Sequence, residues 1–276
     1  MKCLPLILPF IFFCHFTVDA QTQEVDYTIF YNFTYITDTT QNTYSEPEEY
    51  MLFKYKNESR FINMHAHHND SLETILLNKL GARANTQEGA NEYIQAVGKE
   101  RKKHISDLRL IKDFKSHIAT ILLYNTSETK CMEVAIDLKW DLLNETQIIA
   151  GQVCSKATTH YGGRLYTAWY TTEIPIPDGP YVFNGLPGLI LKVVDSKGWY
   201  SFTINDMILK STKRYIDQNF VRKKYLKQLD RPTYIIESTA QKENPKVVFG
   251  LPDPSGERLA RLKERRKNRY DLLIEQ

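Results

Sequence analysis

Between residues 25 and 36, Tyr27, Ile29, Tyr31, Phe33 and Tyr35 fall on one side of an extended chain, and Thr28, Asn32 and Thr34 on the other. A period of two marks a strand with one buried face. Residues 49 to 56 repeat it with Met51, Phe53 and Tyr55, and Arg60 to His67 predicts a third short strand. The period then lengthens. Leu72, Ile75, Leu76 and Leu80 are spaced for a helix, with Asp70 as its cap, Glu73 three residues on and Gly81 as its stop. A second helix is predicted from about Glu88 to Lys103, with Ile94 and Val97 in its stripe.

Strand patterns resume at Ile118. Val134, Ile136, Leu138 and Trp140 alternate with Ala135, Asp137 and Lys139, and residues 147–158, 164–173, 189–195 and 199–205 predict further strands. Turn signals at Asn125, Gly162-Gly163, Pro177-Asp178-Gly179 and Lys197-Gly198 separate them. Such short connections favour antiparallel neighbours. The order of strands, helices and more strands gives an α+β class. The expected architecture is a strongly curved antiparallel sheet, an open half-barrel with helices packed on its concave face. Its element order is similar to that of periplasmic lipoprotein carriers. Three segments follow: residues 1–20 as a signal peptide, 21–210 as the sheet domain with helices at about 70–104, and 211–276 as a basic extension ending in a charged helix.

The leader changes the picture most. Lys2, the apolar run of residues 4–16 and the small residues Val18 and Ala20 read as a secretory signal cleaved after Ala20. Pro5, Pro9 and His15 interrupt a run already too short for the roughly 20 apolar residues of a membrane span. Export leaves Cys131 and Cys154 in an oxidising compartment, where either a disulfide or two buried thiols is open. The net charge of +3 arises from near-cancelling signs and gives no argument for nucleic acid.

One stretch stands apart: Gly151-Gln-Val-Cys-Ser-Lys-Ala-Thr-Thr159, then Gly163-Arg164, Tyr166 to Thr171 with Ala168-Trp169, Glu173-Ile-Pro-Ile176, Gly179-Pro180-Tyr181-Val182-Phe183 and Gly185-Leu-Pro-Gly-Leu-Ile190. It resembles the GLPGLI family, exported proteins best known from Bacteroidota, with the eponymous hexapeptide intact. The resemblance is strongest over about residues 130–205 and implies a periplasmic, outer-membrane-associated or secreted protein whose family has no settled biochemistry. Five Asn-x-Ser/Thr sequons, at Asn32, Asn57, Asn69, Asn125 and Asn144, are then chance products of composition.

Physically, Leu186-Pro187-Gly188-Leu189 fits a type II turn, with Pro187 fixing one φ and Gly188 supplying a positive one. It would lock entry into the apolar strand at 189–194. The functional reading is that Trp169, Glu173, Pro180, Tyr181, Phe183, Leu186 and Pro187 line a groove for an apolar small molecule or a segment of an envelope protein. His65 and His67 are weak metal candidates on one strand face. Cys154 with His160, and Glu173 with Asp178, are the other pairings a catalytic reading could use. No nucleophile elbow, His-Glu-x-x-His or phosphate loop occurs. The expectation is a non-catalytic binding protein with no cofactor. A metal-dependent or hydrolytic enzyme and an outer-membrane assembly factor are the rivals.

Overall fold

A computed structural model describes residues 22–103, 108–124, 129–215 and 226–233. The leader at 1–20 and the helix expected near 257–273 lie outside them. The strands are β1 (Thr22–Val25), β2 (Thr28–Asp38), β3 (Thr43–Tyr44), β4 (Glu48–Tyr55), β5 (Glu58–Asn63), β6 (Leu108–Asp113), β7 (Ile118–Tyr124) and β8 (Thr129–Ala135). They continue as β9 (Asp141–Ile149), β10 (Gln152–Tyr161), β11 (Arg164–Thr171), β12 (Leu189–Asp195), β13 (Tyr200–Ile208), β14 (Thr212–Tyr215) and β15 (Leu226–Leu229). Helices α1 (Met64–Leu80) and α2 (Gln87–Glu100) follow β5, joined by a 3-10 turn over Gly81–Asn85. The protein is mostly β.

Two meanders meet at the centre of one large open sheet. Its order is β15-β8-β7-β6-β5-β4-β2-β13-β12-β11-β10-β9, and β1 pairs β14 separately. The join of β2 to β13 is aromatic. Phe33 stacks on Phe202 at 4.3 Å, and Tyr50 on Phe61 at 4.9 Å. The alternation read in β2 holds, since Ile29, Tyr31, Phe33 and Tyr35 are all buried in the main core.

Chain connectivity dictates that the sheet bends. Ten steps of strand order separate β8 from β9, about 48 Å if the sheet were flat. Only residues 136–140 join them, and a link that short reaches about 21 Å. The two ends of the sheet therefore turn toward each other. Every one of those steps is antiparallel. β8 and β9 thus run in the same sense, and the link carries the chain from the end of one to the start of the other, its Lys139 O accepting from the Thr159 hydroxyl of β10 at 2.7 Å. Ile136, Leu138 and Trp140 join the core, while Asp137 and Lys139 stay exposed. The alternation expected there is real. The link makes no ladder, because Ile136 N–H donates to His117 O at 3.0 Å and Leu138 N–H to Ile136 O at 2.9 Å.

The sheet's two faces bury different things. Tyr31, Tyr50, Phe61, Leu110 and Ile121 share the main core with residues of the β11–β12 connection. Met51, Phe53, Ile62, Leu122 and Cys131 form a second cluster on the other face, and Ala66 of α1 packs there. α1 therefore lies on the face opposite the main core, with α2 packed beside it, and the face inside the bend is occupied by a loop. The expectation of helices inside the sheet is corrected on that ground. α1 starts at Met64, where the Asn63 side chain accepts from His65 N–H and Ala66 N–H. Asp70 is no cap. It is buried and takes a two-pronged pair from Arg109 of β6, at 2.5 and 3.1 Å.

Of the two readings open for the cysteines, the structure has buried thiols and no bridge. Cys131 and Cys154 are buried free thiols. Cys131 lies in the second cluster and Cys154 in the main core, so the sheet itself separates them. Burial pushes both thiols up.

Candidate functional site

Residues 172–188, between β11 and β12, form no strand or helix, yet most are buried. Asp178, Gly179, Pro180, Tyr181, Val182, Phe183, Asn184 and Leu186 are sealed in, whereas Glu173, Pro175, Pro177, Gly185 and Pro187 are exposed. The segment is a plug seated inside the bent sheet. Phe183 leans on Tyr166 at 4.8 Å, and Tyr181 stacks on Phe202 at 6.3 Å. Trp140 donates from Nε1 to Asn184 O at 2.9 Å, and Asn184 Nδ2 donates to Ile136 O at 3.3 Å. The plug thus also holds the link between the sheet's two ends.

Of the expected groove residues, Pro180, Tyr181, Phe183 and Leu186 do come together, but as core. Their apolar surface is spent on packing rather than left to line an open groove. Trp169 is half-buried on β11 with Lys156 Nζ 5.8 Å from its ring centroid. Glu173 and Pro187 face outward.

The hexapeptide departs from a type II turn. The positive φ falls on Gly185, at 86°, and Gly188 has none. Gly188 is required by proximity instead, since a Cβ there would sit 2.0 Å from Thr171 O. The stem of the plug is closed by Leu189 N–H to Ile174 O at 2.9 Å. Tyr181 holds a φ of 51°, a left-handed conformation that costs a bulky residue about 1–3 kcal/mol. Packing on Tyr161, Phe183 and Phe202 keeps it there.

One charged group on the plug meets one on the wall. Lys112 of β6, fully buried, pairs with Asp178 and donates to Gly179 O at 2.6 Å. Asp178 Oδ1 also accepts from Gly179 N–H at 2.8 Å, and its Oδ2 accepts from the Tyr27 hydroxyl at 2.9 Å. Tyr31 donates from its hydroxyl to Ile190 O at 2.7 Å. Burial drives the Lys112 ammonium down, and the Asp178 carboxylate beside it opposes that shift. Tyr27 and Tyr31 are both held well above the usual phenol value, by burial first and by Asp178 second.

Sequence reasoning missed this cluster. Asp178 reads from sequence as part of a Pro-Asp-Gly turn, and Lys112 belongs to no motif. A signal existed: Leu108, Leu110 and Lys112 share one side of a period-two strand, so the lysine falls on the apolar face. A charge there demands a partner.

The weaker chemical candidates do not converge. His65 and His67 lie in the first turn of α1 rather than on a strand. His65 Nδ1 is 2.7 Å from Lys103 O. Among the described residues no three His, Cys, Asp or Glu side chains gather as a metal site would require. His160 is exposed while Cys154 is buried, and Glu173 is exposed while Asp178 is buried.

The opposite extreme is β9, an edge strand of the open sheet whose residues are all exposed except Ile149. Leu142, Ile148 and, on β10, Val153 are 60, 72 and 61% exposed. Ile148 and Val153 face each other across the hairpin. Ala150 and Gly151, both at positive φ, form the two-residue turn that matches strand twist. A register shift opposite Ser155 and Lys156 inserts Asn144 and Glu145 into the edge as a bulge. Lys156 neutralises Glu145 there with two contacts of 2.9 Å. No helix among the described residues is long and apolar enough to cross a membrane.

Comparison with known proteins places one short match on this region. A family described as a protein of unknown function (Porph_ging) matches residues 161–192, which span β11, the plug and the start of β12. No curated protein matches. Two solved structures of PNGF-II, in C2 and P21 space groups, are each 16% identical, with a TM-score of 0.48. The match covers 77% of this chain and 32% of theirs, so the chain spans about a third of the proteins it is similar to.

Proposed function

We propose that this is an exported, non-catalytic cell-envelope protein that binds an extended segment of another envelope protein along β9. The supporting observation is the edge itself. β9 offers an open backbone ladder flanked by Leu142, Ile148 and Val153, all more than half exposed. Monomeric proteins normally shield such edges, and a peptide added as a further strand gains main-chain hydrogen bonds together with side-chain contacts. Export rests on the leader at 1–20, and the envelope assignment on the resemblance to the GLPGLI family. The sheet is read as an open half-barrel like that of periplasmic lipoprotein carriers, with the plug rather than the helices on its concave side. The separation of His160 from Cys154, and of Glu173 from Asp178, favours binding over catalysis.

The test is a photo-crosslinker placed at Ile148 in the envelope of the producing cell. A discrete adduct is expected. It should vanish when Thr146→Pro blocks the edge ladder and persist when Ile94→Lys alters the exposed surface of α2. An adduct insensitive to Thr146→Pro would remove β9 as the binding edge.

A further inference from the structure

We propose that the 172–188 plug mimics an anionic amphiphile, and that a single-chain carboxylate ligand takes its place inside the bent sheet. Size comes first. Barrels of about eight strands are filled by their own side chains, and wider ones hold a ligand, a channel or a plug. Here twelve strands follow one path and curl until a five-residue link joins strands ten steps apart. Such a sheet needs a filler, and residues 172–188 are that filler.

The plug is attached as a removable body. Its backbone bonds run within itself or to its own stems: Phe183 N–H to Pro180 O, Gly185 N–H to Pro177 O, Leu189 N–H to Ile174 O and Ile190 N–H to Asp178 O. Side chains carry hydrogen bonds between it and the wall, those of Lys112, Tyr27, Trp140 and Asn184. No ladder ties it to the sheet it fills. The left-handed Tyr181 is released when it leaves.

Its chemistry names the replacement. The plug buries one carboxylate, Asp178, next to an apolar body of Tyr181, Val182, Phe183 and Leu186, while Glu173 stays exposed. If it withdraws, the fully buried Lys112 ammonium and the Tyr27 hydroxyl remain on the wall with no carboxylate between them. A buried ammonium without a counter-ion is costly. The group that fits both donors is another carboxylate, carried on an apolar chain that fills the aromatic trough of Trp140, Tyr161, Tyr166 and Phe202. This site is separate from β9.

The full chain is titrated with dansyl-undecanoic acid and with its methyl ester, following dansyl fluorescence. The acid should bind at least about tenfold more tightly than the ester, and Asp178→Asn should bind the acid at least about tenfold more tightly than the unaltered protein. Asn184→Ala loosens the plug without touching Lys112, Asp178 or Tyr27, and should tighten binding in the same direction. It decides alone if Asp178→Asn does not fold. Hydrogen exchange with bound acid should speed at the Phe183 and Gly185 amides and stay unchanged in β4 to β6. Equal binding of acid and ester overturns the proposal. So does failure of every variant to bind, or exchange at Phe183 and Gly185 that ignores the ligand. None of these outcomes bears on the β9 crosslink.

Discussion

Two glycines of the hexapeptide do different work, and Gly188 departs from its reading from sequence. At Gly188 an added Cβ meets backbone at 2.0 Å, while at Gly185 it meets nothing within 4 Å but requires a φ of +86°. Gly188→Ala should therefore cost about 3 kcal/mol, as overpacking against an unyielding neighbour does. Gly185→Ala should cost about 1 kcal/mol, the ordinary penalty of a positive φ. Urea denaturation of the two variants gives the order. Proline and glycine in the motif announced a chain reversal, but local sequence could not say that Thr171 O would press on Gly188. The tyrosines carry a pH consequence. Tyr27 and Tyr31 have folded-state values raised above the usual 10.0, so the folded chain keeps protons that the unfolded chain loses. The stability this contributes is intact below about pH 10 and declines as pH rises further. Tyrosinate absorbance from these two residues should appear only together with loss of the strand circular dichroism signal. Their ionisation in a protein that stays folded would contradict the hydrogen bonds described.

At the scale of elements, period and turn chemistry were good guides to type and poorer ones to boundaries. β2, β4 and α2 lie close to where the pattern puts them, while α1 begins at Met64, six residues before Asp70. Both Asn63 and Asp70 are plausible caps by residue type, and the choice between them falls to a partner far away in sequence, Arg109. Asp70, claimed by that guanidinium, has no capping role. Asn63→Ala should thus lower stability by about 1 kcal/mol through the lost cap, whereas Asn63→Gly should lower it by only a few tenths of a kcal/mol. Thermal melts of both variants make the comparison. The 136–140 link shows the converse error. Its alternation is real and its inward residues are buried, yet alternation reports one buried face, not a hydrogen-bonded neighbour. A strand was expected where the chain merely crosses between the sheet's ends.

Across the whole molecule the decisive feature is the plug, because it joins the two meanders. Lys112 belongs to the first and Asp178 to the connection between β11 and β12 of the second. Removing one partner leaves a buried charge, so Lys112→Met should cost about 3–5 kcal/mol. The double replacement Lys112→Met with Asp178→Leu should recover most of that loss, since an apolar pair of similar volume avoids the desolvation of two charges. A double-mutant cycle by chemical denaturation measures the coupling, and additive losses would mean that the pair does not hold the plug. Sequence alone determined the strand-rich class, the helical interlude and the hairpin turns at Gly162-Gly163 and Lys197-Gly198, because each depends on neighbours within a few residues; residues 147–158 read as one strand, but the Ala150-Gly151 turn divides them between β9 and β10. It did not determine which face of the sheet turns inward, that a loop fills that face, or that Cys131 and Cys154 lie on opposite sides. Those outcomes depend on contacts such as Lys112 with Asp178, 66 residues apart. Local periodicity carries no trace of such a partner; only the closing of the sheet brings it into reach.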